Sequence, residues 1–513
     1  MTDTSLYAPR VPIFPRRVSG RFRRFKWIVM IVTLGIYYIT PWIRWDRGPN
    51  LPDQAVLIDM ATRRFYFFWI EIWPHEFYFV AGLLIMAGLG LFLFTAALGR
   101  VWCGYTCPQT VWTDLFILVE RWIEGDRNAR VRLHNAKWDV RKWRLRLTKW
   151  IVWLLIAVAT GGAWVFYFTD APTLAVDLAT FDAPAVAYIT ILILTLTTFV
   201  FGGFMREQVC IYMCPWPRIQ AAMMDEGTIT VAYREWRGEP RGKGNLKKRA
   251  KLKALNAEAI TPAAGPGEAR YAPTPYPKPA LQIGGDGLVT AAEGPGDCID
   301  CMACVNVCPM GIDIREGQQM ECITCALCID ACDDVMDKID RPRGLIGYLA
   351  LSDEDLERQG KPGKPLLSHV LRPRTLLYTG LWLLIGVGLM WALFIRSDIE
   401  LTVSPVRNPT FVVQADGAVR NIYDVRLRNK SGDDREFQLS LTTDAALQVD
   451  LEGEDDLTVN VPADTTILQR LYVTARPEAQ AASVDATPLR IWVEDSSTGN
   501  RAGVATTFNG RVQ

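Results

Sequence analysis

Histidine is scarce. His75, His134 and His369 are the only three in 513 residues, so a haem held between paired histidines on facing membrane helices is hard to build, and all three are expected at surfaces or interfaces. Charge of one sign is not in excess either. Lys and Arg total 56 against 55 Asp and Glu, which lacks the basic surplus of a nucleic-acid binder. Cysteine is absent before Cys103 and after Cys332. A secreted disulfide framework would spread its pairs through a small fold. A cleavable leader is not expected, because residues 1–26 are basic and contain proline, and the apolar run after them has no small-residue cleavage site.

Half the residues are hydrophobic, tryptophan reaches 18, and charged residues still make up 22%. That mixture suits a chain that is part membrane and part soluble, and its length exceeds what one core organises. Five apolar stretches approach or reach the ~20 residues a helix needs to cross a bilayer. They are Phe25–Trp42, Tyr78–Leu98, Trp150–Phe168, Ala185–Met205 and Leu376–Ile395. Trp, Tyr and Arg at their edges argue against buried helices of a soluble protein.

Basic flanks predict the orientation. Arg16, Arg17, Arg21, Arg23, Arg24 and Lys26 lie before or at the start of the first span, and eleven Lys or Arg lie between the second and third, whereas Thr169–Pro184 has none. The positive-inside rule then puts the N-terminus in the cytoplasm, and five spans send the tail to the periplasm. The loop Arg44–Glu76, with four arginines, weakens the rule locally.

The expected organisation is a cytoplasmic basic N-terminus (1–24), a membrane domain of four spans (25–237) and a flexible linker (238–296). A ferredoxin-like segment (297–345), a connector (346–375), the fifth span (376–396) and a β domain (397–513) follow. The linker is rich in Gly, Pro, Ala and charge, with a short basic helix predicted near Asn245–Ala257. The tail alternates apolar and polar residues in runs such as YDVRLRN, FQLSLTT and PLRIWVED, separated by turn residues. About seven such strands predict an immunoglobulin-like sandwich without the inter-sheet disulfide, with a small barrel as the alternative. The fold class is thus a multi-domain membrane protein: a five-span α-helical bundle, a cytoplasmic two-cluster ferredoxin segment and a C-terminal all-β sandwich.

The cysteines carry the chemistry. Cys298, Cys301, Cys304 and Cys308-Pro309 are spaced by two, two and three residues, and Cys322, Cys325, Cys328 and Cys332 repeat that spacing. Two such runs describe a bacterial ferredoxin with two [4Fe–4S] clusters, in which the fourth cysteine of each run ligates the other cluster. Cys298, Cys301, Cys304 and Cys332 are therefore assigned to cluster 1, and Cys308, Cys322, Cys325 and Cys328 to cluster 2. Structural zinc is the competing reading, but zinc ribbons place two Cys-x-x-Cys pairs without a third and fourth cysteine at these intervals. Asp333 stands where the second run would carry proline, a turn-shaping position that does not ligate.

A second pattern repeats: Cys103-Gly-Tyr-Thr-Cys107-Pro108 and Cys210-Ile-Tyr-Met-Cys214-Pro215, each directly after a span. Proline at the first turn starts a helix, so Cys107 is expected to cap Gln109–Ile123 and Cys214 to cap Arg218–Met224, where the helix dipole favours a thiolate. Four such thiolates suit Cu(I), with Met205, Met213, Met223 and Met224 as added soft donors, or a disulfide relay. The plainer reading is cysteine packing as a small apolar side chain.

These residues together resemble a known family. The runs Gly296–Pro309, Gly311–Arg315, Glu321–Cys332 and Arg341–Ile346, the two Cys-x-x-x-Cys-Pro motifs, Arg237–Arg241 and the β-rich tail are similar to cytochrome c oxidase accessory proteins of the CcoG/FixG type. The similarity runs from about Pro41 onward, the linker being longer than usual. It implies a role in assembling a cbb-type oxidase in a bacterial inner membrane, with oxidase subunits or assembly factors as partners. It also implies a cupric reductase activity that supplies Cu(I). Cys103, Cys107, Cys210 and Cys214 are then the proposed copper or redox thiols, beside two [4Fe–4S] clusters. The alternatives are a quinol-linked electron carrier and a non-enzymatic redox-sensing scaffold; the electron donor is not specified.

Overall fold

The computed structural model describes residues 12–48, 51–242, 281–283, 289–291, 296–359, 361–396, 399–431, 433–453, 456–463 and 465–511. The chain divides into two compact units, one holding residues 1–41 and 74–386, the other 42–73 and 387–513.

The first unit opens with α1 (Arg21–Ile39), followed by α2 (Tyr78–Leu98), α3 (Val101–Tyr105), α4 (Pro108–Glu124), α5 (Arg127–Asn135), α6 (Val140–Val165), α7 (Ala171–Thr180) and α8 (Ala185–Thr198). The last runs on as π-helix through Phe199–Met205, and a second π turn covers Val209–Met213. Then come α9 (Trp216–Met223), α10 (Glu235–Gly238), α11 (Ala303–Val307), α12 (Leu327–Lys338), α13 (Leu351–Arg358), α14 (Leu366–Val370) and α15 (Pro373–Phe394). Among the described residues, five helices are long and apolar enough to cross a membrane: Arg21–Trp42, Pro74–Leu98, Val140–Val165, Ala185–Met205 and Pro373–Phe394. The third starts ten residues before its predicted apolar run, because its first turns are basic and Asp139 caps them by accepting from the Lys142 N–H.

Two loops are more structured than their composition suggested. Thr169–Pro184 contains α7, whose N-terminus Asp170 caps by accepting from Thr173. Within Arg44–Glu76, β1 (Val56–Asp59), β2 (Arg64–Phe67) and β3 (Ile70–Ile72) form an antiparallel sheet. Strand β4 (Ile229–Tyr233) is also in the first unit. In the predicted linker, β5 (Leu281–Ile283) pairs with β6 (Val289–Ala291), so that stretch is not structureless. The basic helix expected near Asn245–Ala257 lies outside the described residues.

The ferredoxin segment is held from both sides. Strand β7 (Ile346–Ala350) pairs antiparallel with β4, so chain from just after the fourth span closes over the cysteine runs. Apolar residues of both strands share a core with Cys298, Cys304 and Cys332. Asp330, between two cysteines of the second run, accepts the backbone N–H of Arg23 at 2.7 Å and of Phe22 at 3.3 Å. It thereby satisfies two of the donors a helix start leaves unpaired.

The second unit is a two-sheet sandwich with the small β1–β3 sheet alongside. Strands β8 (Ile399–Pro405), β9 (Val412–Val413), β10 (Val419–Asn429), β12 (Leu447–Leu451) and β14 (Thr466–Ala475) make one sheet, ordered β12-β14-β10-β8 with β9 on β10. β11 (Arg435–Thr442), β13 (Thr458–Val461), β15 (Thr487–Asp495) and β16 (Arg501–Phe508) make the other. Alternate residues of β10 are buried along its length. Tyr423, Val425, Leu427, Phe437, Val473, Ile491 and Phe508 fill the space between the sheets. The Arg396 guanidinium donates to the Glu71 carbonyl, tying the tail after the fifth span to the loop after the first.

Candidate redox site

Each cysteine run begins with the same backbone bend. In Cys298-Ile-Asp-Cys-Met-Ala-Cys304, Asp300 and Met302 are left-handed, with φ of 55° and 59°. In Cys322-Ile-Thr-Cys-Ala-Leu-Cys328, Thr324 and Ala326 stand at the equivalent places, with φ of 54° and 58°. Non-glycine residues adopt this conformation at a cost, and its repetition at matched positions marks a demand of the site. Alternating hands of this kind aim successive N–H groups into one concavity, as at many iron–sulfur sites. Met302 and Ala326 then cap α11 and α12, which carry Cys304 and Cys328. Between the runs Gly311 turns the chain at φ +72°, where an added Cβ would meet Ile13.

The cysteines border two pockets. Cys298, Cys301, Cys304 and Cys332 line one of about 330 Å3, with Tyr233, Met336, Leu345, Ile346 and Arg315 around them. Cys308, Cys322, Cys325 and Cys328 line the other, of about 390 Å3, which Cys304 also borders, with Val231, Ile312, Ile314 and Leu327 as its wall. Among the described residues no three His, Cys, Asp or Glu side chains converge on a single ion. Cysteine thiols with apolar walls, in the spacing of two, two and three residues, are the donor set of a four-iron cluster. Burial pushes the thiols of Cys304 and Cys322 up to about 11 and that of Cys308 to about 12, and it raises Cys328 and Cys332 further. Ligation at these positions must therefore displace protons. The donor set, the bends and the dry walls fit [4Fe–4S] clusters.

The second set of cysteines also comes together. Cys103 lies in α3, Cys107 caps α4 with Pro108 at its first turn, and Cys210 lies in the second π turn. π turns recur at functional sites. Cys214 stands one residue outside α9, whose capping residue is Pro215, so it does not cap as expected. Burial pushes Cys210 up to about 12, and the nearby Cys107, Cys103 and Cys214 thiols add to it. Burial likewise pushes Cys103 to about 11, against the opposing charge of Arg100. Among the four, burial thus raises the thiols of Cys103 and Cys210. All four are free thiols, and the Cys103 Sγ lies 3.0 Å from Gln220 Oε1.

The two cysteine sets meet. A Cβ on Gly104 would stand 2.5 Å from the Ile323 carbonyl oxygen and 3.1 Å from the Cys325 nitrogen. The Tyr105 hydroxyl donates to the Cys325 carbonyl at 3.1 Å, and the Arg100 guanidinium donates to the Met320 carbonyl. Cys103, Cys210, Ile323 and Cys325 share one apolar cluster. None of Gly104, Tyr105, Arg100 or Gln220 was identified from the sequence. The glycine inside Cys-Gly-Tyr-Thr-Cys-Pro was the one available signal, since glycine often marks close approach.

The histidines are not part of either set. His369, expected at a surface or interface, is buried, with Nε2 2.7 Å from Asp353 Oδ2. The His134 ring packs on Phe14, and His75 lies in the short turn Pro74–Glu76 before α2, its Nε2 3.8 Å from Glu76 Oε1.

Residues 205–265 and 286–351 match the family described as a 4Fe-4S dicluster domain, and residues 79–126 match a 4Fe-4S binding domain. Residues 389–511 match the IG-like fold at the C-terminus of FixG. Protein RdxB of Cereibacter sphaeroides is 63% identical over 508 residues, covering 99% of this chain and 98% of its own. Protein RdxA of the same organism is 59% identical, covering 98% of each. The nitrogen fixation protein FixG of Rhizobium meliloti is 50% identical over 532 residues, covering 98% of this chain and 94% of that one. The chain belongs to the FixG family. It is a membrane-bound iron–sulfur electron-transfer protein with an immunoglobulin-like C-terminal fold. The bundle, the ferredoxin segment and the sandwich expected from the sequence are all present.

Proposed function

We propose that this FixG-family protein reduces Cu(II) to Cu(I), with two [4Fe–4S] clusters as the electron source and Cys103, Cys107, Cys210 and Cys214 as the copper-handling thiols. Cluster 1 is held by Cys298, Cys301, Cys304 and Cys332, and cluster 2 by Cys308, Cys322, Cys325 and Cys328. The observation that carries this reading is the packing of Gly104 and Tyr105 on the Cys325 loop, which brings the membrane motif up to the pocket bordered by Cys308, Cys322, Cys325 and Cys328. Each reduction moves one electron: a reduced cluster is oxidised by one electron as Cu(II) becomes Cu(I). Thiolates favour the softer product.

The Cu(I) would supply assembly of a cbb-type oxidase, with oxidase subunits or assembly factors as partners. The basic flanks favour an N-terminus and clusters in the cytoplasm and a periplasmic β domain in a bacterial inner membrane. Titrating the dithionite-reduced protein anaerobically with Cu(II), followed by absorbance and electron paramagnetic resonance, tests this. One Cu(II) signal should vanish per cluster reoxidised. Clusters that stay reduced would leave an electron carrier with another acceptor.

A further inference from the structure

A large pocket lies beside the start of the first span, away from both cysteine sets. It encloses about 1470 Å3 including its open mouth, and Arg17, Val18, Ser19, Gly20, Arg23, Arg24, Trp27, Leu118, Arg121 and Trp122 line it. Four lining residues are arginines and none is acidic. Two nearby carboxylates are already engaged. Asp114 takes Nη1 of Arg23 through both oxygens, at 2.8 and 2.9 Å, and Asp126 accepts the Arg17 backbone N–H at 2.9 Å.

Two guanidinium nitrogens remain over. Arg23 is buried, yet its Nη2 has no hydrogen-bond partner among the described residues, and neither does Nε of Arg121. Nη2 of Arg121 is used locally, donating to the carbonyls of Pro15 and Arg16 at 3.3 and 3.2 Å. Burial, with the neighbouring Arg23 charge adding to it, pushes Arg121 down to about 10. A buried unpaired donor on a cation is costly, and the lining of the pocket beside these two arginines holds no acidic side chain that offsets their charge.

The setting identifies the kind of anion. The pocket lies between the basic start of a membrane-spanning helix and α4, an amphipathic helix. Trp27 stacks under the Arg23 guanidinium at 4.5 Å, and Trp122 is 79% exposed. Tryptophan with arginine at a span end is the pairing found at headgroup depth, and basic pockets between membrane helices bind anionic headgroups.

We propose that this pocket binds one anionic phospholipid, its phosphate received by Arg23 and Arg121 and its glycerol and upper chains lying against Trp27, Leu118 and Trp122. The rim arginines Arg17 and Arg24 add attraction without direct seating.

Native mass spectrometry of the full chain, delipidated in detergent, tests this with phosphatidylglycerol and phosphatidylcholine of identical acyl chains. Phosphatidylglycerol should bind about tenfold more tightly. Arg121→Gln should lower that preference about fivefold, as one lost cation implies. A rim variant, Arg17→Gln with Arg24→Gln, should reduce it too and spares the Asp114 pair; iron content reports that each variant is folded. Arg141→Gln, an exposed cation elsewhere, should leave the preference unchanged. Equal binding of the two lipids, or a preference that survives both variants, overturns the proposal. Displacement of the lipid by equimolar inorganic phosphate also overturns it, since the pocket would then be a site for a free anion.

Discussion

The hydroxyl of Tyr105 donates a 3.1 Å hydrogen bond to the backbone carbonyl of Cys325, 220 residues away in the chain. Tyr105 sits two residues from Cys103 of the membrane motif, and Cys325 lies in the middle of the second ferredoxin run. Together with Gly104, this contact packs the membrane motif against the second ferredoxin run. Gly104→Val should push α3 off the Ile323–Cys325 loop, because side-chain atoms would have to occupy space within 3.1 Å of that backbone. Overpacking of this kind costs about 1–3 kcal/mol. Thermal bleaching of the visible cluster absorbance should shift down accordingly, and Cu(II)-driven cluster oxidation should slow more than iron content falls.

Cluster count follows from the ligand sets. Iron and sulfide should each be about eight per chain, from two four-iron clusters. Cys304→Ser and Cys325→Ser should each cut iron to about four by removing one cluster. Stoichiometric zinc, or about four iron in the unmutated protein after anaerobic reconstitution, would contradict the assignment.

The α4 helix is anchored by a buried charge network. Burial pushes the Glu120 carboxyl up, but Arg206, Arg130 and Lys149 outweigh it and hold its pKa at about 2. Glu120 contacts Arg206 Nη2 at 2.6 Å and Lys149 Nζ at 3.4 Å, and pairs with Arg130. A lowered carboxyl pKa stabilises the fold above the ordinary value of 4.5, and that contribution is lost as pH falls toward about 2. Glu120→Gln should forfeit it at neutral pH, leaving buried cations unpaired at a cost of about 3–5 kcal/mol. The check is the melting temperature in detergent at pH 7, and an unchanged value would make the network dispensable.

Topology can be read independently of charge counting. The segment before the first span docks on the ferredoxin segment, as in the Arg16 N–H to Asn306 carbonyl bond of 2.8 Å. Protease added to spheroplasts should remove the domain after Phe394 and leave Cys298–Cys332 protected. The reverse pattern would invert the proposed orientation.

Much of this architecture was legible because bilayers and clusters impose strict patterns. A span needs a long apolar helix, and all five were found within a few residues except for the basic start of Val140–Val165. Alternation along Val419–Asn429 reported a strand buried on one face, and burial follows it residue by residue. The cysteine spacings grouped the residues that border the two pockets. What was not legible depends on distant partners. The β4–β7 ladder joins short segments more than a hundred residues apart. The β1–β3 sheet is built from a loop whose arginines and tryptophans hide its alternation, and the buried His369 meets Asp353 and the Gly227 carbonyl, the latter 142 residues away. The burial that raises the Cys103 and Cys210 thiols is likewise a product of tertiary packing that the motif spacing does not show.

The most direct test of the account is the rate at which Cu(II) reoxidises the reduced clusters in Cys103→Ser/Cys107→Ser, measured by anaerobic stopped-flow absorbance with iron content determined on the same samples. The account predicts full iron and a rate reduced by about a hundredfold or more, the scale on which lost metal ligation and positioning act. Full iron with an unchanged rate would contradict it, because copper would then take electrons directly from a cluster without the membrane thiols.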